Sequence, residues 1–150
     1  MNEVDIQLAV AADNVPSAEQ LQGWVDSALA DYPADTELVI RIVDQKESSE
    51  LNRRYRHKSG PTNILSFPFA APKNVPLNLL GDLVICAPVL AQEARDQGKP
   101  LQHHWAHIVV HGVLHLLGYD HDNDAEAEIM EAEEIKILAQ LNITNPYHEA

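Results

Sequence analysis

Three closely spaced histidines are the residues of this chain best suited to chemistry. His111 and His115 are four residues apart, and His121 follows six residues later. On an α-helix, four residues advance about 6 Å along the axis and turn about 40° beyond one full turn, so the first two imidazoles share a face. Gly118 can end the helix in a left-handed conformation, after which the chain can turn back. The spacing predicts a metal site made by a helix and the loop after it.

The ligand types favour zinc and a catalytic role. Three imidazoles with a fourth position left open suit Zn²⁺, and we expect one ion per chain, held by His111, His115 and His121. A structural zinc is normally closed by four protein ligands, so an open position favours catalysis. Asp120 offers an alternative in which a carboxylate closes the shell. The same carboxylate could instead accept the free N–H of a ligand histidine or cap the next helix.

Gly112 distinguishes this pattern from that of a protease. The spacing HxxxHxxGxxH is similar to the ligand skeleton of metzincin proteases, in which a glutamate follows the first histidine and takes a proton from water. A glycine offers no base, and we expect it to leave room for a larger substrate group beside the ion. RNA carries its own 2′-hydroxyl nucleophile, and its cleavage needs positive charge on the phosphate oxygens. The pattern argues against peptidase activity and favours phosphodiester cleavage.

A short basic cluster could supply that positive charge. It holds four of the ten lysines and arginines, namely Arg53, Arg54, Arg56 and Lys58, in a chain whose net charge is −13. A guanidinium binds phosphate through two hydrogen bonds, the role expected of Arg56, and the other three could steer an RNA backbone. The alternative is a solvated helix face. Tyr55 could stack on a base, although core packing is the favoured interpretation.

Hydrophobic periodicity and capping residues predict the elements that position these groups. Alternating or branched apolar residues indicate strands at 4–10, 38–43, 62–67 and 79–86. Capping residues and helical periodicity indicate helices at 17–29, 44–56, 88–97, 101–117 and 124–140. The order favours an α+β fold, with a mixed four-stranded sheet, about five helices and the metal site on a central helix.

Two details of these elements are specific enough to test. Gly81, inside the fourth strand, indicates a bulge or a close approach of backbones. In the last helix, the residues expected to face inward are Ile129, Met130, Ile137 and Leu138. A loop is predicted at 70–78.

Length and composition indicate one domain. The chain has 150 residues, 45% of them apolar, so we expect a single metal-dependent hydrolase domain over 1–150 with its last few residues disordered. No apolar run reaches the length of a membrane span, and acidic residues occupy the place where an export signal needs basic ones. Cys86 is the only cysteine, which excludes an internal disulfide. These features favour a cytoplasmic protein with no membrane partner.

Three segments together resemble a known family. They are HGVLHLLGYDH at 111–121, LNRRYRHKSGPTNILSFPF at 51–69 and LLGDLVIC at 79–86. The chain is similar to the YbeY family of bacterial ribosomal RNA maturation factors, most closely over 51–141. That family is described as a zinc-dependent, single-strand-specific endoribonuclease that acts in small-subunit ribosomal RNA processing and ribosome quality control. The resemblance implies a substrate of single-stranded ribosomal RNA.

The resemblance also implies roles for particular residues. The three histidines of 111–121 would be the zinc ligands, and Arg56 matches the family's functionally important arginine, which we expect to be catalytic. Asn63 stands where many members have aspartate. Two alternatives stay open: a ribosome-assembly or RNA-binding factor with a mainly structural metal, and a metal hydrolase of another substrate.

An acidic segment follows the histidines and points to a protein partner. Eight of the fifteen residues at 120–134 are acidic. Such a surface repels RNA and suits a ribosomal small-subunit protein with a basic face. Neutralising Glu126, Glu131 and Glu134 is therefore expected to raise the affinity for bare RNA.

Overall fold

The computed structural model describes residues 2–11, 13–32, 35–69 and 78–147. Within these ranges, strands and helices follow the order expected from the sequence. They are β1 (Glu3–Leu8), α1 (Ala18–Ala28), β2 (Glu37–Val43), α2 (Gln45–Arg56), β3 (Ile64–Pro68), β4 (Leu79–Cys86), α3 (Ala87–Gln97), α4 (Leu101–Leu116) and α5 (Asp124–Gln140). The predicted loop at 70–78 lies mostly outside the described residues, and the expected disorder of the last residues concerns 148–150, which also lie outside them.

The four strands form one mixed sheet in the order β1-β2-β4-β3. The pairs β1–β2 and β2–β4 are parallel, and β3 runs antiparallel to β4 at the edge. Pro68 is tolerated in β3 because an edge strand has one side without a pairing strand, where the missing N–H costs no ladder bond. The predicted α+β fold with a mixed four-stranded sheet is confirmed.

Gly81 explains how β3 lies so close to β4. Its φ of +149° is outside the range that other residues readily adopt, and a Cβ built there would lie 2.4 Å from the backbone oxygen of Phe67. The β2–β4 register also shifts between Glu37 and Leu38. The close backbone approach predicted at Gly81 is confirmed, and it fixes the edge strand relative to the rest of the sheet.

The helix ends follow the capping residues seen in the sequence. Ser17 and Gln20 form a capping box, in which the Ser17 hydroxyl accepts from the Gln20 N–H at 3.2 Å and the Gln20 side chain accepts from the Ser17 N–H at 2.9 Å. Asp44 caps α2 by accepting from the Glu47 N–H at 2.9 Å. Asn123, rather than Asp120, caps α5.

α4 is the centre of the core. It contacts α1, α3, α5, β3 and β4, and its Trp105 and Val109 are fully buried. Replacing a buried aromatic by alanine costs about 3–5 kcal/mol, so this packing holds the histidine-bearing helix firmly in place. The prediction of a long central helix is confirmed, and its last two turns carry His111 and His115.

The prediction that Ile129 of α5 faces the core is wrong. Ile129 is 62% exposed, whereas Met130, Ile137 and Leu138 are buried as predicted. The buried face continues through Glu134, which lies four residues after Met130 on the same side of the helix. No helix in the described ranges combines the length and hydropathy needed to cross a membrane.

Candidate active site

The three histidines converge as their spacing predicts. One ring nitrogen from each of His111, His115 and His121 lies within 4.8 Å of the others. The Nε2 atoms of His111 and His115 are 3.1 Å apart. Two nitrogens on a tetrahedral zinc, each about 2.0–2.1 Å from the ion, lie roughly 3.3 Å apart. The arrangement of the described side chains therefore fits a metal ion.

The turn that brings His121 to the site depends on Gly118. The Gly118 N–H donates to the His115 carbonyl and the Tyr119 N–H to the Leu114 carbonyl, both at 3.0 Å. This pair of bonds is a Schellman motif, which requires a left-handed residue, and Gly118 supplies it with φ +104°. The helix therefore ends at the predicted glycine, and the chain reverses toward its own last turn.

Asp120 stabilises the loop that follows. Its carboxylate accepts from the His121 backbone N–H at 2.8 Å, and this bond, more than any other effect, lowers the pKa of Asp120. A hydrogen bond between the two carboxylates raises the pKa of Asp122. Asp120 therefore bonds to the backbone of one candidate ligand and to Asp122, and it neither caps α5 nor makes a hydrogen bond with an imidazole of the described residues.

Gly112 faces the sheet, on the side of the helix that packs in the core, and it adds no space to the site. A Cβ at this position would lie 2.6 Å from Cδ1 of Ile64 in β3 and 2.8 Å from Cδ2 of Leu83 in β4. The glycine therefore allows α4 to pack closely on the two strands. The expectation that it makes room for a substrate group is wrong, because the room is already filled by the core.

Glu134, which the sequence pattern placed among the surface acids that repel RNA, is instead buried at the site. Its side chain is fully buried, and its carboxylate contacts Nδ1 of His111, Nε2 of His107 at 3.3 Å and the hydroxyl of Tyr147. Because Nδ1 of His111 donates to a carboxylate, its Nε2 is left with a lone pair toward the candidate metal position. A sequence signal existed: Glu134 interrupts the apolar stripe of α5 at the spacing of its buried residues.

The protonation states of this network suit metal binding. Burial raises the pKa of Glu134, but hydrogen bonds with His107 and His111 outweigh it and lower the value to about 2. Burial, followed by the bond to Glu134, raises the pKa of Tyr147, which therefore remains a donor. The pKa of His115 is lowered by burial and then by the neighbouring imidazoles. A neutral imidazole is the form that binds a metal.

Two histidines upstream on α4 have carboxylate partners of their own. His104 is buried and pairs with Glu93 at 2.9 Å, a contact that lowers the pKa of Glu93. His107 supports the site through its contact with Glu134, and its ring lies edge-on to that of His111 with 6.3 Å between centroids.

A cleft of about 800 Å³ opens over the histidines. Its walls come from α2, the edge strand and the loop after α4, through residues Tyr55, Arg56, Asn63–Pro68, His111, His115 and Gly118–Asp122. Among the described residues, the Arg56 side chain makes no hydrogen bond or ion pair and is exposed. An unpaired guanidinium beside three imidazoles suits an anionic group such as a phosphate.

Polar contacts behind the basic cluster hold Arg56 at the cleft. Asn52 of α2 donates to the Gly60 carbonyl at 2.9 Å. The Ser48 hydroxyl donates to the Thr62 carbonyl, and the Thr62 N–H donates back to that hydroxyl, both at 3.0 Å. These contacts tie the helix to the connection leading into β3, which lines the same cleft.

Tyr55 is exposed at the cleft, contrary to the favoured interpretation. It is 55% exposed, and its ring packs edge-on against Phe67 of β3 with 5.2 Å between centroids. Tyr55 lies in the last turn of α2, two residues before His57, whose left-handed conformation ends the helix. An exposed ring beside Arg56 is a surface on which a flat group can stack.

Comparison with known proteins identifies the family. Residues 7–142 match the family Endoribonuclease YbeY. The chain belongs to the YbeY family. The Endoribonuclease YbeY of Colwellia psychrerythraea is 53% identical and that of Methylococcus capsulatus 56% identical, and each match covers 97% of this chain and 97% of the relative.

A solved structure supports the same fold. The solution structure of TM1509 from Thermotoga maritima is similar, with a TM-score of 0.58 and 21% identity, over 97% of this chain and 99% of that one. YbeY membership confirms the resemblance read from the three segments and the expected enzyme class, a hydrolytic endoribonuclease.

The remaining basic residues lie outside the cleft of this YbeY-family chain. Arg53, Arg54 and Lys58 are exposed on α2 and just beyond it, and they do not line the cavity. Asn63 does line it, and its amide donates to Glu93 at 3.3 Å. The Asn63 carboxamide is thus held by an acidic neighbour, a contact that an ionised carboxylate at this position could not make.

Proposed function

We propose that this chain is a zinc-dependent, single-strand-specific endoribonuclease of small-subunit ribosomal RNA maturation and ribosome quality control. The observation that carries the proposal is the convergence of three imidazoles beside the unpaired guanidinium of Arg56 in one cleft. Membership in the family Endoribonuclease YbeY supports RNA as the substrate. Residues 1–150 act as one metal-dependent hydrolase domain in this proposal, in the cytoplasm where ribosomes assemble.

His111, His115 and His121 would hold one zinc ion per chain. Three nitrogen ligands favour zinc over the hard cations that prefer oxygen. When bound, zinc supplies a Lewis acid that polarises oxygen and acidifies water. The lowered pKa of His115, caused first by burial, and the carboxylate behind His111 both support binding of a cation here. Loss of one imidazole is expected to remove the ion.

Arg56 would bind the scissile phosphate. Its guanidinium can donate two parallel hydrogen bonds to phosphate oxygens, and it stabilises the negative charge that grows on them during cleavage. The side chain needs no rearrangement to do so, because no described residue competes for it. Arg53, Arg54 and Lys58 would attract the RNA backbone from outside the cleft, an effect that weakens as salt is added.

Tyr55 would account for the preference for single strands. An aromatic face contributes about 1–3 kcal/mol per stacked base, and a base in a duplex has both faces covered. The exposed ring lies beside Arg56, so one unpaired base can stack while its phosphate reaches the guanidinium. Only RNA whose bases are free meets both contacts.

His115→Ala and Arg56→Glu, measured together, test the proposed function. We expect His115→Ala to stay folded and bind single-stranded RNA while losing both zinc and cleavage. We expect Arg56→Glu to keep about one zinc per chain and lose cleavage, because a carboxylate repels the phosphate. The measurements are metal analysis of the pure proteins and cleavage of a defined single-stranded RNA, with and without chelator.

His103→Ala is the matched control. His103 lies on the same helix and outside the cleft, so the variant should keep zinc and cleavage. Cleavage by His115→Ala at the wild-type rate, after identical purification, would overturn the nuclease assignment. If the wild type also failed to cleave RNA, and His115→Ala still bound RNA and supported ribosome assembly, the result would instead support an assembly factor with a structural metal.

The exposed acidic side of α5 favours a protein partner with a basic surface. Asp124, Glu126 and Glu128 are exposed on this helix. Such a surface suits a small-subunit ribosomal protein, which carries basic residues to bind RNA. Crosslinking from cysteines introduced at these positions, in purified small subunits, would identify the partner protein. Crosslinks to RNA alone would contradict the proposal of a protein partner.

A further inference from the structure

Glu134 joins the candidate metal site to the end of the chain. The carboxylate has no solvent exposure, and its partners come from two separate regions. His107 and His111 belong to α4, while Tyr147 lies beyond α5, in the last part of the described chain. A buried carboxylate is stable only when hydrogen bonds replace its water, so each partner helps to keep it there.

The two carboxylate oxygens have different partners. Oε1 receives the Nδ1 proton of His111, whose other nitrogen faces His115 at 3.1 Å. Oε2 receives the Tyr147 hydroxyl and Nε2 of His107, the latter at 3.3 Å. Oε1 therefore fixes the orientation of the His111 ring and determines that Nδ1 carries its proton. The donors on Oε2 hold the Glu134 carboxylate in position.

Tyr147 is held against this network by its own segment. Its hydroxyl is also 3.2 Å from Nε2 of His107, and the two rings meet edge-on with 5.4 Å between centroids. The Tyr147 backbone N–H donates to the Asn145 side chain at 2.8 Å, and the Lys99 ammonium donates to the Pro146 carbonyl at 3.4 Å. The segment is thus docked on the surface of α4.

We propose that Glu134 and Tyr147 are positioning residues that set the zinc affinity of the three-histidine site, and that zinc in turn strengthens docking of the segment at 143–147. The inference rests on the proposed function, in that the three histidines bind zinc. A fixed His111 ring loses less freedom on binding the ion, and the carboxylate makes its nitrogen a better ligand. Coupling between two binding events is reciprocal, so the metal must also hold the segment.

Zinc competition against a chromogenic chelator tests the first part. We expect Glu134→Gln to lower zinc affinity about 10- to 100-fold, the usual effect of losing such a partner, and Tyr147→Phe to lower it less. Glu133→Gln, next along the same helix, is the control and should match the wild type. Wild-type affinity in both Glu134→Gln and Tyr147→Phe would overturn the proposal.

Hydrogen exchange separates positioning from a merely structural role. Zinc should raise amide protection at 143–147 in the wild type and fail to do so in Tyr147→Phe. A purely structural contact would instead lower the melting temperature of the zinc-free protein and leave zinc affinity unchanged, which would contradict the proposal. Tyr147 is 41% exposed, so its phenylalanine variant can be expected to fold.

His115→Ala distinguishes failure of this inference from failure of the proposed function. If the wild type binds zinc no more tightly than His115→Ala, the metal site itself is absent and both proposals fail. If the wild type binds zinc and His115→Ala does not, while Glu134→Gln and Tyr147→Phe equal the wild type, only the positioning role is wrong.

Discussion

Two arginines of this chain show how partners decide what a side chain can do. Arg41 of β2 donates to both carboxylate oxygens of Glu47, at 2.6 and 3.0 Å, and this bond raises the pKa of the guanidinium further. Arg56 has no such partner among the described residues and lines the cleft. The same functional group is satisfied internally in the first case and is available to an incoming phosphate in the second.

Tyr55 leads to a prediction at the residue scale. Tyr55→Ala is expected to weaken binding of single-stranded RNA by about 1–3 kcal/mol, roughly 5- to 150-fold, because a stacked base loses its platform. Tyr55→Phe keeps the ring and should bind as the wild type does. Fluorescence anisotropy with both changes placed in a His115→Ala background, where the RNA stays intact, measures the effect. Equal affinities for the alanine and phenylalanine variants would show that no base stacks there.

At the element scale, the left-handed turn after α4 controls the third histidine. Gly118→Ala is expected to destabilise the protein by about 1–3 kcal/mol, because alanine is strained at φ +104°. It should also lower zinc affinity, since His121 follows the turn. Thermal unfolding without zinc and chelator competition measure the two effects.

Gly23→Ala is the control for this prediction. Gly23 lies in α1, and no atom of the described residues comes within 4 Å of the Cβ position, so alanine should stabilise the protein by about 0.5–1 kcal/mol. If Gly118→Ala also unfolded at or above the wild-type temperature and bound zinc equally, the turn would not depend on glycine.

The elements were predictable from the sequence to the extent that their signals are local. The Ser17–Gln20 capping box, the Gly118 helix end and the histidine spacing depend on neighbours along the chain, and all three lie where expected. Glu134 and Tyr147 were missed because their roles arise only when α5 and the chain end pack on α4. Spacing within one helix carries no information about which other helix will lie beside it.

At the scale of the whole molecule, charge is divided between two regions. Basic residues gather at the end of α2, whereas acidic residues occupy the loop after α4 and the start of α5. One carboxylate oxygen from each of Asp120, Asp122 and Glu126 lies within 4.8 Å of the others, and the first two line the cleft. RNA therefore meets attraction on one side of the opening and repulsion on the other.

Neutralising this acidic region should strengthen binding of bare RNA. Glu134 is unsuitable for such an experiment because it is buried, so the variant combines Glu126→Gln, Glu128→Gln and Glu131→Gln. We expect an affinity several-fold above the wild type at low salt, and a smaller difference as the Debye length falls below about 10 Å. Binding isotherms at increasing salt concentrations measure it.

A control of equal charge separates this local effect from net charge. Glu3→Gln, Asp5→Asn and Glu19→Gln neutralise three exposed acids on β1 and α1, away from the cleft. The same increase in affinity for both triple variants would mean that only the total charge matters.

The packing at Gly112 also limits what this scaffold could become. In the sequence pattern alone, a single change from glycine to glutamate would supply the base of a metal-dependent protease. In this fold the new side chain would begin 2.6 Å from Ile64 and 2.8 Å from Leu83, between a helix and a sheet. A carboxylate forced there would lose its water without gaining a partner, at a cost of several kcal/mol. Evolution or engineering toward peptide hydrolysis would first have to separate α4 from the strands beneath it.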